Sequence, residues 1–145
     1  LFQAFDFTAS FEDTPPCDGV ESVSSSPRIS RRDLRTLTEI GVLALACERG
    51  EAARPIFELL DVEQSDNAAG PIGLAMIEAV QGKERAAFAR LRCAIAERRR
   101  CVNEAKAVLC VFLMGFGRAA EAKALRRELL RGPDCGARRL VASYC

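Results

Sequence analysis

The stretch GKERAAFARLRCA, residues 82–94, decides the fold. Its glycine is free to take the left-handed conformation that closes a helix. After it, Ala87, Phe88, Leu91, Ala94 and Ile95 fall at helical spacing and share one face. Two other glycines stand in the same context, Gly50 before Glu51 and Gly117 before Arg118, each leading into an alanine-bearing pattern. The intervals are 32 and 35 residues (50 to 82, 82 to 117). A unit of about 34 residues, helix–turn–helix, marks helical repeats, in which no pair buries its apolar face alone and each stacks on the next. A short helical bundle also turns on glycine, so the interval carries more than the residue type.

Working outward, Ser30 with Asp33 offers a helix cap and an acid in the first turn. Leu34, Leu37, Ile40, Gly41 and the residues at 43–45 then form an apolar stripe ending at Gly50. A second helix begins at Glu51, with Pro55 in its first turn and Ile56, Phe57, Leu59 and Leu60 on its buried face. Residues 64–71 suggest a connection, followed by helices over about 72–81, 83–99, 104–116 and 119–131. Gly132 and Pro133 stop the last of these. The expected organisation is an N-terminal arm and linker (1–33), a helical domain (34–131) and a tail (132–145). The arm holds Phe2, Phe5, Phe7 and Phe11, then a Pro- and Ser-rich stretch that suits a linker. Phe5, Phe7, Ala9 and Phe11 alternate, which also permits a short strand.

Ala87, Leu91 and Ala94 follow Gly82 by five, nine and twelve positions, a small–large–small pattern. After Gly117 the same positions hold Ala122, Arg126 and Leu129, and after Gly50 the first two hold Pro55 and Leu59. Seven residues before the glycines stand Leu43, Ala75 and Cys110. This pattern resembles the tetratricopeptide repeat family over about residues 34–131. One unit matches fully and two in part, and the family's large aromatic positions are mostly missing. The resemblance implies an all-α fold of about three helix–turn–helix repeats in a short right-handed array, preceded by an irregular arm.

It further implies that the first helices line a concave face. The positions carried over are Leu37, Ile40, Ala44 and Cys47, then Ala69, Ile72, Met76 and Ala79, then Glu104, Ala107, Val111 and Met114. All but Glu104 are apolar or small, and no base is present to clasp a charged chain end. Such a trough suits an amphipathic helix of another protein, with Met adapting to irregular contacts. The same side chains would instead close a small core if no trough opened. In size, unit number and groove character the chain is also similar to the small chaperones of bacterial type III secretion, particularly those that keep the needle subunit from polymerising. That likeness implies a cytoplasmic protein-binding chaperone that self-associates when unliganded. The arm phenylalanines could plug such a trough in cis.

The composition agrees with helix. Apolar residues make up 49% of the chain, Tyr occurs once and Trp never. Net charge is +1, yet residues 1–82 carry 6 basic and 14 acidic groups, and 83–145 carry 15 and 6. A basic second half is compatible with nucleic acid or with a scaffold role. However, the run ERRR at 97–100 has no aromatic neighbours or recognition-helix pattern, and arginines also solvate outer helix faces. The seven cysteines are odd in number, form no C-x-x-C pair and have no histidine beside them. We therefore expect no metal, with Cys47, Cys93 and Cys110 acting as small buried hydrophobes in a reducing compartment. Without histidine there is no Ser-His or Cys-His pair, and GKER lacks the rest of a phosphate loop. GFGRAAEA, residues 115–122, follows a helix rather than a strand and lacks a third glycine, so it is not a dinucleotide fingerprint. No enzyme activity and no cofactor are expected. The longest apolar run, 107–116, is too short to span a membrane, and Asp6, Glu12 and Asp13 sit where a secretory leader would be basic.

Overall fold

Ser30 opens the first helix as expected. Its Oγ accepts the Asp33 N–H at 3.2 Å and donates to the Asp33 carboxylate at 2.7 Å. The computed structural model describes residues 29–98, 100–132 and 136–144. These form α1 (Arg31–Ala46), α2 (Gly50–Glu63), α3 (Ala69–Val80), α4 (Glu84–Glu97), α5 (Val102–Gly115), α6 (Ala119–Arg131) and α7 (Gly136–Tyr144). Among the described residues there is no strand, only one isolated parallel bridge between Asn67 and Arg100. The fold is all-α. The proposed strand and plug in the arm lie outside the described residues.

Three turns share one geometry. Glu48, Gly82 and Gly117 all have positive φ (59°, 72° and 77°) and lie 34 and 35 residues apart (48 to 82, 82 to 117). Their N–H groups donate to Leu45, Ala79 and Met114, and the N–H groups of Arg49, Lys83 and Arg118 reach back to Ala44, Glu78 and Leu113. These bonds satisfy carbonyls that a helix end leaves orphaned. The first turn therefore differs from expectation. Gly50 does not end α1 but begins α2, and the left-handed residue is Glu48. A non-glycine residue bears about 1–2 kcal/mol of steric cost there, so glycine spacing alone pointed two residues too far along.

Counting from these residues changes which side chains stand at the same distance from a turn. Gly41, Ala75 and Cys110 stand seven before, and Ala53, Ala87 and Ala122 five after; all six are buried. The expected Leu43 and Pro55 are exposed instead. Pro55 is the sixth residue of α2, beyond its first turn. Small residues at these places let helices approach closely. The ring of Phe57 fills the space so created: a Cβ on Gly73 would lie 2.1 Å from it and one on Gly41 2.9 Å.

Consecutive helices pack on one another, α3 also touches α1 and α5, and α7 docks on α5 and α6. Helix α3 starts three residues before the expected 72. Asn67 Oδ1 takes the Ala69 N–H at 3.0 Å, and Asn67 Nδ2 donates to Gln64 at 2.8 Å. Backbone bonds from Ala68 to Arg100 and from Arg100 to Asp66 stitch this loop to the α4–α5 loop. The tail beyond 132 is not featureless: α7 buries Ala137, Leu140 and Val141, spaced as one helix face.

A candidate protein-docking surface

The positions expected to line a trough fall into three groups. Ala69, Ile72, Met76 and Ala107 are core residues, with no surface for a partner to touch. Leu37, Ala44, Ala79, Val111 and Glu104 are half-buried, whereas Ile40, Cys47 and Met114 are exposed. The reason is the central place of α3. It packs against α1, α2, α4 and α5, and every residue from Ala68 to Glu78 is buried. A continuous open floor through the middle of the molecule does not exist there. The register adds a second displacement: counted from Glu48, the α1 positions equivalent to Ile72, Met76 and Ala79 are Thr38, Val42 and Leu45.

An open apolar groove lies at the C-terminal ends of α1 and α3, apart from the exposed Ile40 and Met114. It encloses about 740 Å³, walled by Leu45, Ala46, Gly50, Ile77 and Val80 and rimmed by Glu48, Glu51 and Gln81. Leu45 and Ile77 form its buried floor, and Val80 is 81% exposed at its mouth. Each wall follows from a turn. The left-handed Glu48 and Gly82 reverse the chain directly after the last apolar turn of α1 and α3, leaving those apolar ends uncapped by further helix. Sequence reasoning missed Leu45, Ile77 and Val80 because it registered the trough on Gly50 and on one helix face.

The rim is polar and fixed. Arg54 Nη2 bonds Glu51 Oε1 at 2.8 Å, and the Gln81 side-chain amide also donates to that oxygen, joining α2 to the end of α3. The Arg54 hydrogen bond, ahead of its charge and the Gln81 bond, holds the Glu51 carboxyl below its usual 4.5, against an opposing desolvation. The groove therefore pairs an apolar floor with a polar edge made of the Glu51–Arg54 ion pair and the exposed Glu48. That chemistry fits an apolar side chain flanked by a base.

A second depression, of about 400 Å³, lies over α2, α3 and α4 between Pro71, Ala86, Ala89 and Cys93. Two ion pairs close its polar ends: Glu78 with Arg90 at 2.7 Å, and Asp61 with Arg98 at 2.7 Å. Arg98 also reaches the Ser65 carbonyl. Each of these four charges has its complement within the chain, so the two pairs fasten α4 to α2 and α3. Cys93 and Cys47 are exposed rather than buried; only Cys110, among the three cysteines expected in the core, lies there. A hydrogen bond with Glu97 raises the Cys93 thiol above its usual range, which keeps it protonated and weakly nucleophilic.

Among the described residues no three Cys, Asp or Glu side chains gather into a metal-binding group, and no helix is long and apolar enough to cross a membrane. No protein-family model, curated protein or solved structure matches the chain.

Proposed function

We propose that the chain is a tetratricopeptide-like adaptor or chaperone that holds an amphipathic helix of a partner protein. Three turns with the same hydrogen bonds, 34 and 35 residues apart, and the buried small residues around them support the repeat reading. The apolar groove between the ends of α1 and α3, edged by Glu48 and Glu51, is the observation that carries the binding function. Its volume lies within the range of about 300–1,000 Å³ usual for specific pockets. A partner helix places an apolar side chain against Leu45, Ile77 and Val80 and a Lys or Arg beside Glu48. The proposed role is thus a short docking site rather than a long trough. A cytoplasmic chaperone of the type III secretion kind, shielding an apolar helix of a secreted subunit from self-assembly, is the most specific form of this reading.

The test begins with capture of the native partner and synthesis of its docking helix. Titrating that peptide into the full chain should give saturable binding, weakened at least about tenfold by Val80→Glu. Because Val80 is exposed, the variant keeps the wild-type melting temperature. Equal affinity for both proteins would remove the groove from consideration.

A further inference from the structure

Helix α1 carries two stripes at the same spacing. Leu34, Thr38, Gly41 and Leu45 are buried against the body. Thr36, Ile40, Leu43 and Cys47 each stand two residues further on, about 200° round the helix, and all four are exposed. Ile40 and Leu43 are 49% and 64% exposed, whereas the side chains at the same distance before the next two turns, Leu74 and Ile77 of α3 and Leu109 and Phe112 of α5, are buried. The difference has a positional cause. Helices α3 and α5 are packed by neighbours on several sides, whereas α1 packs chiefly against α2 and α3. The outer stripe, spaced by four, three and four residues, has the form of a seam between two paired helices.

We infer that a second copy of the chain covers this stripe, the two α1 helices lying antiparallel about a twofold axis between Ile40 and Leu43. The inference goes beyond the helix-binding groove and uses none of its apolar walls. Antiparallel order sets Ile40 of each copy against Leu43 of the other, and Thr36 against Cys47. One patch thus supplies both sides of four layers, as a twofold interface requires. Charge selects this occupant and this direction. Arg31 and Arg32 are exposed on the first turn of α1, and Glu48 is exposed just past its last. None of the three forms an ion pair with a described residue. In the antiparallel pair, Glu48 of each copy comes within about one turn, measured along the axis, of Arg31 and Arg32 of the other. A parallel pair would set like charges side by side, which is costly at an interface. A single helix therefore holds both halves of the complement, in the order that only a reversed copy of itself matches. The seam is short, at the weak end of specific interfaces, so the dimer exchanges with monomer.

Sedimentation equilibrium of the full chain under reducing conditions, from low micromolar to millimolar concentration, tests this. The mass should rise from monomer to dimer. Leu43→Glu, which sets two unpaired carboxylates in the seam, should weaken association at least about tenfold, and Val80→Glu should leave it unchanged. Circular dichroism checks that Leu43→Glu, altered only at an exposed position, keeps its helix content. Direction is read from Thr36→Cys. With oxygen and a copper catalyst, the introduced thiol should link to Cys47 of another copy, identified by mass spectrometry of the joined peptides. Within one chain the two positions stand about 16 Å apart along α1, too far for a disulfide. A monomer at every concentration would leave the face to another occupant and overturn the inference. So would a dimer that survives Leu43→Glu, one that Val80→Glu dissolves, or one whose introduced thiol does not reach Cys47. Peptide binding in the groove is measured separately, so the two proposals fail independently.

Discussion

Phe57 ties α1, α2 and α3 together because Gly41 and Gly73 leave room for its ring on either side. Gly73→Ala drives a methyl into that ring and should destabilise the protein by about 1–3 kcal/mol, read by urea or thermal melts. Gly82→Ala tests a different cost. Nothing lies near its missing side chain, so a loss of about 1 kcal/mol should come from the positive φ alone. Both glycines are visible in the sequence, and Gly41 and Gly73 even repeat the interval of Gly50 and Gly82. Their meaning was not legible, because a glycine that admits a ring from another helix leaves no local signature. Glu51 gives a pH-dependent prediction. Its folded-state pKa is depressed, so what its ion pair contributes is present at neutral pH and lost as pH falls below 4.5 through the folded value. In an NMR titration Glu51 should show a midpoint below 4.5 that rises towards it in Arg54→Ala; an unchanged midpoint would show that Arg54 does not set it.

Helices α4 and α6 lie close to where periodicity and glycine stops put them, and α6 coincides with the expected range. Boundaries went astray where a residue acted against its type. Glu48 takes the left-handed turn without being glycine, and Asn67 caps α3 from a stretch resembling a loop, where Gly70 and Pro71 already belong to the helix. Gly70 is needed there, since a Cβ would come within 2.6 Å of the Asp61 backbone. Helix α7 was missed for a different reason. Helix α6 ends at Arg131 with Gly132 as its cap, but a short helix follows, and its Ala137, Leu140 and Val141 face was set aside as tail. Burial makes that face structural. Leu140→Ala should cost about 2–5 kcal/mol. A melt unchanged by the substitution would mean that α7 does not stay docked on α5 and α6.

The molecule as a whole keeps its charges apart, acidic in the first half and basic in the second. Part of the basic half is paired internally: Arg90 binds Glu78, Arg98 binds Asp61, Arg92 and Arg118 share Glu121, and Lys106 binds Glu128. On α6, Lys123, Arg126, Arg127 and Arg131 take part in no ion pair with a carboxylate of the described residues. Four such cations on one short helix make a modest patch, so the chain should leave heparin at low salt with a shallow salt dependence. Retention to high salt would favour a nucleic-acid partner instead. Fold class was legible because helical periodicity is a property of the chain itself. The groove proposed for docking was legible only as apolar side chains on α1 and α3. Its place depended on how α3 is enclosed by four neighbours, which no single segment encodes.

Methyl NMR of the full chain, titrated with the docking helix of its captured partner, tests the central proposal most directly. Shifts concentrated at Leu45, Ile77 and Val80, with Leu125 and Leu130 of α6 unmoved, are the predicted result. Binding that leaves those three methyls unchanged and moves α6 would contradict it.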